Sequence, residues 1–119
     1  MAYVDGFVIP LPKENLEAYL DMSRQCGAIW KEYGALEFRE CVGDDIPPGK
    51  VTSFPLSVDL RDGEAVVFSW IVYASRTERD AINDKAMNDP RMAHFMDPKN
   101  LPFDGKRMIY GGFEMMIDL

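Results

Sequence analysis

Between Tyr3 and Ile9 the side chains alternate, Tyr3, Asp5, Phe7 and Ile9 on one side against Val4, Gly6 and Val8 on the other. A period of two predicts a strand, here one with apolar residues on both faces, ending at Pro10. Pro12 suits a first helical turn, and Glu14 suits the positive end of a helix dipole. The period then lengthens. Leu16, Tyr19, Leu20, Ser23, Gly27 and Trp30 recur at three- and four-residue steps, while Glu17, Asp21, Arg24, Lys31 and Glu32 point elsewhere. That spacing predicts a long amphipathic helix. Gly34 caps its C-terminus, because glycine takes the left-handed conformation without steric cost. Ala35 to Val42 returns to period two and sets Leu36, Phe38, Glu40 and Val42 against Ala35, Glu37, Arg39 and Cys41 in a half-buried strand.

From Gly43 to Gly63 turn residues dominate: Asp44-Asp45, Pro47-Pro48-Gly49, Pro55 and Asp62-Gly63. This predicts a loop or mobile hairpin, with a peripheral strand around Val51 to Phe54, since Pro55 cannot donate to a ladder. Ala65 to Ala74 is apolar on both faces and rich in β-branched and aromatic residues, which predicts the central strand. Ser75-Arg76-Thr77-Glu78 fits a capping box, so a second helix starts there and ends before Asp89-Pro90. Asp89-Pro90 and Asp97-Pro98 each read as an N-cap with proline at the first helical position, and Met92, Phe95 and Met96 bury one face of a short helix between them. Arg107 to Ile117 alternates again and predicts the last strand, with Gly111-Gly112 as a bulge or a close backbone approach.

The order β-α-β-β-α-β, with a loop insertion between strands two and three, is the ferredoxin-like pattern of an α+β fold in one domain spanning residues 1–119. Two helices cover one face of a four-stranded sheet. The third and fourth strands are apolar on both sides, so something must cover the second face, and the simplest cover is another copy of the chain packed sheet to sheet. The expectation is a homodimer.

Composition narrows the function classes. With 20 acidic and 13 basic residues the charge is −7, which argues against a nucleic-acid partner, whose affinity comes from basic groups displacing counterions from phosphates. No apolar run approaches eighteen residues and no export signal is visible at the start, so the expectations are no membrane and a cytoplasmic location. Cys26 and Cys41 are too few for a disulfide framework and read as reduced, partly buried thiols.

Several segments together resemble one family. Tyr3-Val4-Asp5-Gly6-Phe7, Gly34-Ala35-Leu36-Glu37, Glu40-Cys41-Val42-Gly43-Asp44-Asp45 and Val67-Phe68-Ser69-Trp70-Ile71-Val72-Tyr73 are similar to the YbaA-like family, domain of unknown function 1428. So are Asp89-Pro90-Arg91-Met92, Met96-Asp97-Pro98 and Lys106-Arg107-Met108-Ile109-Tyr110-Gly111-Gly112-Phe113, and the resemblance covers nearly the whole chain. It implies the dimeric α+β barrel superfamily, in which two ferredoxin-like subunits pack their open sheets together. That superfamily holds cofactor-free monooxygenases, lactone isomerases, haem-handling enzymes and proteins of no known activity, so the fold confers no reaction. It supplies no catalytic residues to carry over.

If Leu36, Phe38 and Val42 face the helices, Glu37, Arg39 and Cys41 face the dimer interior. Asp5 on the same side would bring an acid, a base and a thiol to a cavity walled by Trp70 or Tyr73. Such a set binds a small organic ligand, with Arg39 anchoring it and Asp5 or Glu37 accepting a proton. The structural alternative is that Arg39 only pairs with a carboxylate at the interface. Arg91, His94 and Asp97 lie at three-residue steps and form a second candidate site, against the alternative of a solvated lone histidine. By resemblance to haem-degrading members of the superfamily, Asn83, Trp70 and His94 supply the residue types of a haem pocket. No other cofactor is implied. Asp44-Asp45 reads as a solvated turn rather than a metal cage, Gly111-Gly112 lacks the context of a phosphate loop, and Met87, Met92, Met96, Met108, Met115 and Met116 read as core filler. Two functions follow: a small-molecule-binding homodimer, extending to a cofactor-free enzyme of monooxygenase or isomerase kind, and a non-catalytic interaction module that uses the 43–63 insertion.

Overall fold

A computed structural model describes residues 1–119. The elements run β1 (Tyr3–Pro12), α1 (Leu16–Glu32), β2 (Glu37–Val42), α2 (Phe54–Ser57), β3 (Glu64–Tyr73), α3 (Arg76–Met87), α4 (Ala93–Met96) and β4 (Ile109–Glu114). Single 3-10 turns stand at Lys13–Asn15, Pro90–Met92 and Pro98–Asn100. The strands form one antiparallel sheet in the order β2-β3-β1-β4. This is the ferredoxin-like α+β fold that the alternation of periods predicts.

Helices α1 and α3 cover one face of the sheet. Ile29, Trp30, Ile82, Ala86 and Met92 pack there on Ile71 and Tyr73 of β3, and Ile9, Leu11, Tyr19 and Val67 form a second cluster toward the other end. The molecule measures 37 × 36 × 20 Å, so its thin dimension holds one sheet and one layer of helix. The opposite face is largely uncovered, with Pro10, Val66 and Val72 its buried members. Val4, Val8, Phe68, Trp70, Ile109 and Phe113 share it by register, and Phe113 is 59% exposed. Phe54 of α2 leans onto its rim, its ring edge-on to Phe68 at 5.8 Å, and Ile46 borders the same edge.

Two departures from the sequence reading have physical causes. Strand β1 continues through Pro10 to Pro12 instead of stopping at Pro10. The Lys13 amide donates to the Gly63 carbonyl across β3, so the alternating backbone turns the nitrogens of Pro10 and Pro12 to the other edge. Strand β4 ends there opposite Val8, and no ladder bond is lost. The segment expected to form a strand around Val51 to Phe54 instead leads into α2, because Ser53 Oγ accepts from the Leu56 amide at 3.1 Å and Pro55 sits in the first turn. Gly111 and Gly112 make no bulge, pairing in register with Gly6 and Asp5. The close approach, the other reading of this pair, is formed at Gly112, where a Cβ would collide with the Tyr3 hydroxyl and the Arg79 guanidinium.

The N-cap serine and aspartates act as expected, although Glu78 does not reach back to the Ser75 amide to close the capping box. Ser75 Oγ accepts from the Glu78 amide, Asp89 from the Arg91 amide and Asp97 from the Lys99 amide. No helix is long and apolar enough to cross a membrane.

Gly34, at φ +117°, turns the chain from α1 into β2, and its Cβ position is otherwise open, the nearest atom being Ile82 Cδ1 at 3.5 Å. Replacing Gly34 with alanine is therefore expected to lower unfolding stability by about 1–2 kcal/mol through backbone strain alone. Urea unfolding measures this, and an unchanged midpoint contradicts it.

Candidate functional site

The strand register divides the expected pocket between the two faces of the sheet. Asp5 pairs with Ile71 and Tyr3 with Tyr73, whereas Arg39 pairs with Trp70. Asp5 and Tyr73 therefore lie beneath the helices, and Glu37, Arg39, Cys41 and Trp70 lie on the open face. Arg39 stands 3.8 Å from Glu37, both about half exposed, a weak surface ion pair. Cys41 is exposed rather than partly buried, while Cys26 on α1 is half-buried. The single convergent cluster of Asp5, Glu37, Arg39, Cys41, Trp70 and Tyr73 is not formed.

Beneath the helices lies a cavity of about 270 Å³ between α1, the sheet and the segment leading into β4. Phe7, Ile9, Met22, Trp30, Ile71 and Met108 are among its 13 hydrophobic lining residues of 17. A polar group enters it from one side. Glu40 on β2 is half-buried; its Oε2 accepts from Ser23 Oγ of α1 at 2.7 Å, and its Oε1 is buried with no hydrogen-bond partner. The buried Tyr19 hydroxyl stands beside it, and burial, then the Glu40 charge, push that hydroxyl's ionisation far up, leaving it a neutral donor. The same two causes push the Cys26 thiol up to about 11, so it is inert as a nucleophile at neutral pH.

A second hollow, of about 400 Å³, shares Phe7, Trp30, Ile71, Met87 and Met108 with the first and reaches a polar knot. Asn83 of α3 accepts at Oδ1 from Trp30 Nε1 at 2.9 Å and from the Tyr73 hydroxyl at 3.0 Å, and its amide nitrogen reaches Asp5 at 3.5 Å. Arg79 Nε lies 3.2 Å from Asp5 Oδ1, and another guanidinium nitrogen donates to the Tyr3 hydroxyl at 3.2 Å while the group sits over the Tyr3 ring. Burial works against the charge on Arg79, but Asp5, Tyr3 and Asp80 outweigh it and hold the guanidinium protonated. Burial, then the Asp5 charge, raise the ionisation of Tyr73. Apart from Arg79 Nε, which is buried beside Asp5 without a hydrogen bond, the donors and acceptors here are committed to one another, and the knot braces α1, α3, β1 and β3.

Arg91, His94 and Asp97 do not assemble. Arg91 pairs with Asp89 at 2.9 Å and Glu32 at 2.6 Å, Asp97 caps the Lys99 amide, and His94 lies against Asn100 on the exposed turn of α4. The haem set does not form either: Asn83 binds Trp30 instead of Trp70, which is on the far face, and His94 is at the surface. Among the methionines only Met92 is buried; Met87, Met96 and Met116 are 46–73% exposed, and Met87 and Met108 line the cavities rather than fill them.

Glu40 and Arg79 carry the internal chemistry, and neither was singled out in the sequence. The signal for Glu40 was present: a carboxylate interrupts the helix-facing series Leu36, Phe38, Val42 at a position where the alternation wants an apolar side chain. Arg79 left no such mark, because its helix carries charges throughout.

The pattern of the family described as "Protein of unknown function (DUF1428)" matches residues 2–105. The chain is 52% identical over 118 residues to "Uncharacterized protein YbaA" of Escherichia coli K12, covering 99% of both chains, and equally to that of Shigella flexneri. Among solved structures it is similar to a dimeric ferredoxin-like protein from an uncultured marine organism, with a TM-score of 0.63, 11% identity and coverage of 99% and 98% of the two chains.

The Asp5 and Arg79 side chains are 12% and 22% exposed, so removing one partner strands the other. Asp5→Ala is expected to cost about 3 kcal/mol, and adding Arg79→Met to recover more than half of that. A double-mutant cycle by urea unfolding tests it; additive losses would remove the pair from the account.

Proposed function

The chain belongs to the DUF1428 family, and from the geometry of its two faces we propose that it is a homodimer that binds a small, mainly apolar organic molecule beneath its helices. The cavity beside Glu40 carries this reading. At about 270 Å³ it exceeds the roughly 150 Å³ of an apolar protein cavity that accepts benzene, so a single-ring compound fits it. A carboxylate set in apolar walls is also the arrangement that proton transfer without a cofactor uses, which extends the reading to an isomerase- or monooxygenase-like enzyme. The ligand site thus moves from the sheet-to-sheet interior, where the sequence suggested it, to the helical side of each subunit.

The dimer rests on the open face. Its apolar residues come from three strands of one sheet, so a second copy packed about a two-fold axis covers them with the same side chains. The structural neighbour, which has this fold, is dimeric. An interaction module is the second reading, favoured by Val51 and Leu56 of the 43–63 insertion, 97% and 50% exposed.

Native mass spectrometry of gently purified protein is expected to give twice the 13.5 kDa chain mass plus an excess that disappears on denaturation. A bare dimer that takes up no ring-sized compound transfers the weight to the interaction module. Trp70→Glu and Phe113→Glu are each expected to yield monomers or insoluble protein. A soluble dimer from both variants removes the open face from the interface.

A further inference from the structure

Beneath the helices two buried polar atoms lack a hydrogen-bond partner, Glu40 Oε1 and Arg79 Nε; the second lies 3.2 Å from the opposite charge of Asp5, the first faces no cation. The Asp5 carboxylate is engaged by Arg79 and Asn83, and that of Asp89 by Tyr33 and Arg91. Glu40 has one donor, Ser23, on one oxygen, and its other oxygen is buried with none. A buried acceptor left unmade costs more than the net gain from an ordinary hydrogen bond, so the position is a standing expense unless something supplies a donor. The side chain lines the cavity; the donors that share the lining, Tyr19, Trp30 and Ser69, make no hydrogen bond to Oε1, and the rest of the wall is mostly phenylalanine, isoleucine and methionine.

Resting on the reading of this cavity as a ligand site, we propose that Glu40 Oε1 is the polar anchor of the ligand and accepts a hydrogen bond from its hydroxyl. The ligand class is then a small neutral ring or chain with one weakly acidic hydroxyl, a phenol or an enol. The chemistry selects against the alternatives. A ligand carboxylate would face the like charge of Glu40; Arg39 also borders the cavity, but the register turns its side chain to the opposite face, half exposed beside Glu37, and Arg79 is held in the knot. A pure hydrocarbon would fill the walls but leave Oε1 as it is. Ser23 fixes the carboxylate through Oε2, and the neutral Tyr19 hydroxyl stands beside it without a hydrogen bond to Oε1, which leaves that oxygen to the ligand.

Phenol and toluene, which differ by a hydroxyl in place of a methyl, are the probes, titrated calorimetrically into the full chain and its Glu40→Leu variant. Both are expected to bind the wild type. In Glu40→Leu phenol affinity is expected to fall about tenfold while toluene affinity is unchanged or higher. If toluene affinity also falls, the cavity has collapsed, and Glu40→Gln, which keeps the shape but not the charge, decides with an expected fivefold or so loss for phenol alone. Phenol affinity unchanged in Glu40→Gln and Glu40→Leu, with both probes binding the wild type, overturns the anchor and leaves the cavity reading standing. Failure of both probes to bind the wild type overturns the anchor and the cavity reading together.

Discussion

The ten-residue antiparallel pairing of β1 with β3, from Tyr3 opposite Tyr73 to Pro12 opposite Glu64, determines the chemistry of both faces of this protein. In a pleated strand a side chain's neighbours follow from its position's parity, and a slip by one residue would exchange every buried group for an exposed one. With this register Asp5 meets Arg79 and Asn83 under the helices, and Trp70 joins Phe68 and Phe113 on the open side. The polar knot, the cavity and the uncovered aromatic face are all consequences of one ladder.

Polar groups beneath the helices divide into two kinds. The knot around Asn83 is closed but for Arg79 Nε, which rests on its ion pair with Asp5, and it fastens α1 to α3 through the indole of Trp30. Closed networks of this sort rigidify and specify a packing arrangement. Glu40 is open, held by Ser23 on one side and lacking a donor on the other. A fold that tolerates such a group in an otherwise apolar space spends stability there, which is the common signature of a site rather than of a scaffold.

Much of the fold was legible from periodicity and caps, because helices and strands here differ cleanly in repeat and the capping residues stand where serine, aspartate and glycine act locally. The errors fell where a tertiary fact decided the outcome. Pro10 reads as a stop, yet it is harmless at an edge with no partner strand beyond Val8. The parity of Asp5 could not be settled from β1 alone, because both of its faces are apolar, and only pairing with β3 places it. The spacing of Arg91, His94 and Asp97 suggested one helical turn, but the chain there breaks into two 3-10 turns and a four-residue helix, and each side chain finds its partner elsewhere. The Glu40 cavity was missed for a different reason: its polar residues come from α1, β2 and β3, distant in sequence and individually unremarkable in composition.

Gly112 links sequence variation to this geometry. The space a side chain would need above it is filled by Tyr3 from β1 and Arg79 from α3, whose guanidinium bridges to Asp5. The volume at positions 3, 79 and 112 is therefore shared, and a side chain at 112 would have to push aside the tip of Arg79 or of Tyr3, loosening the bridge to Asp5; the glycine is in this sense part of the brace although it donates no atom to it.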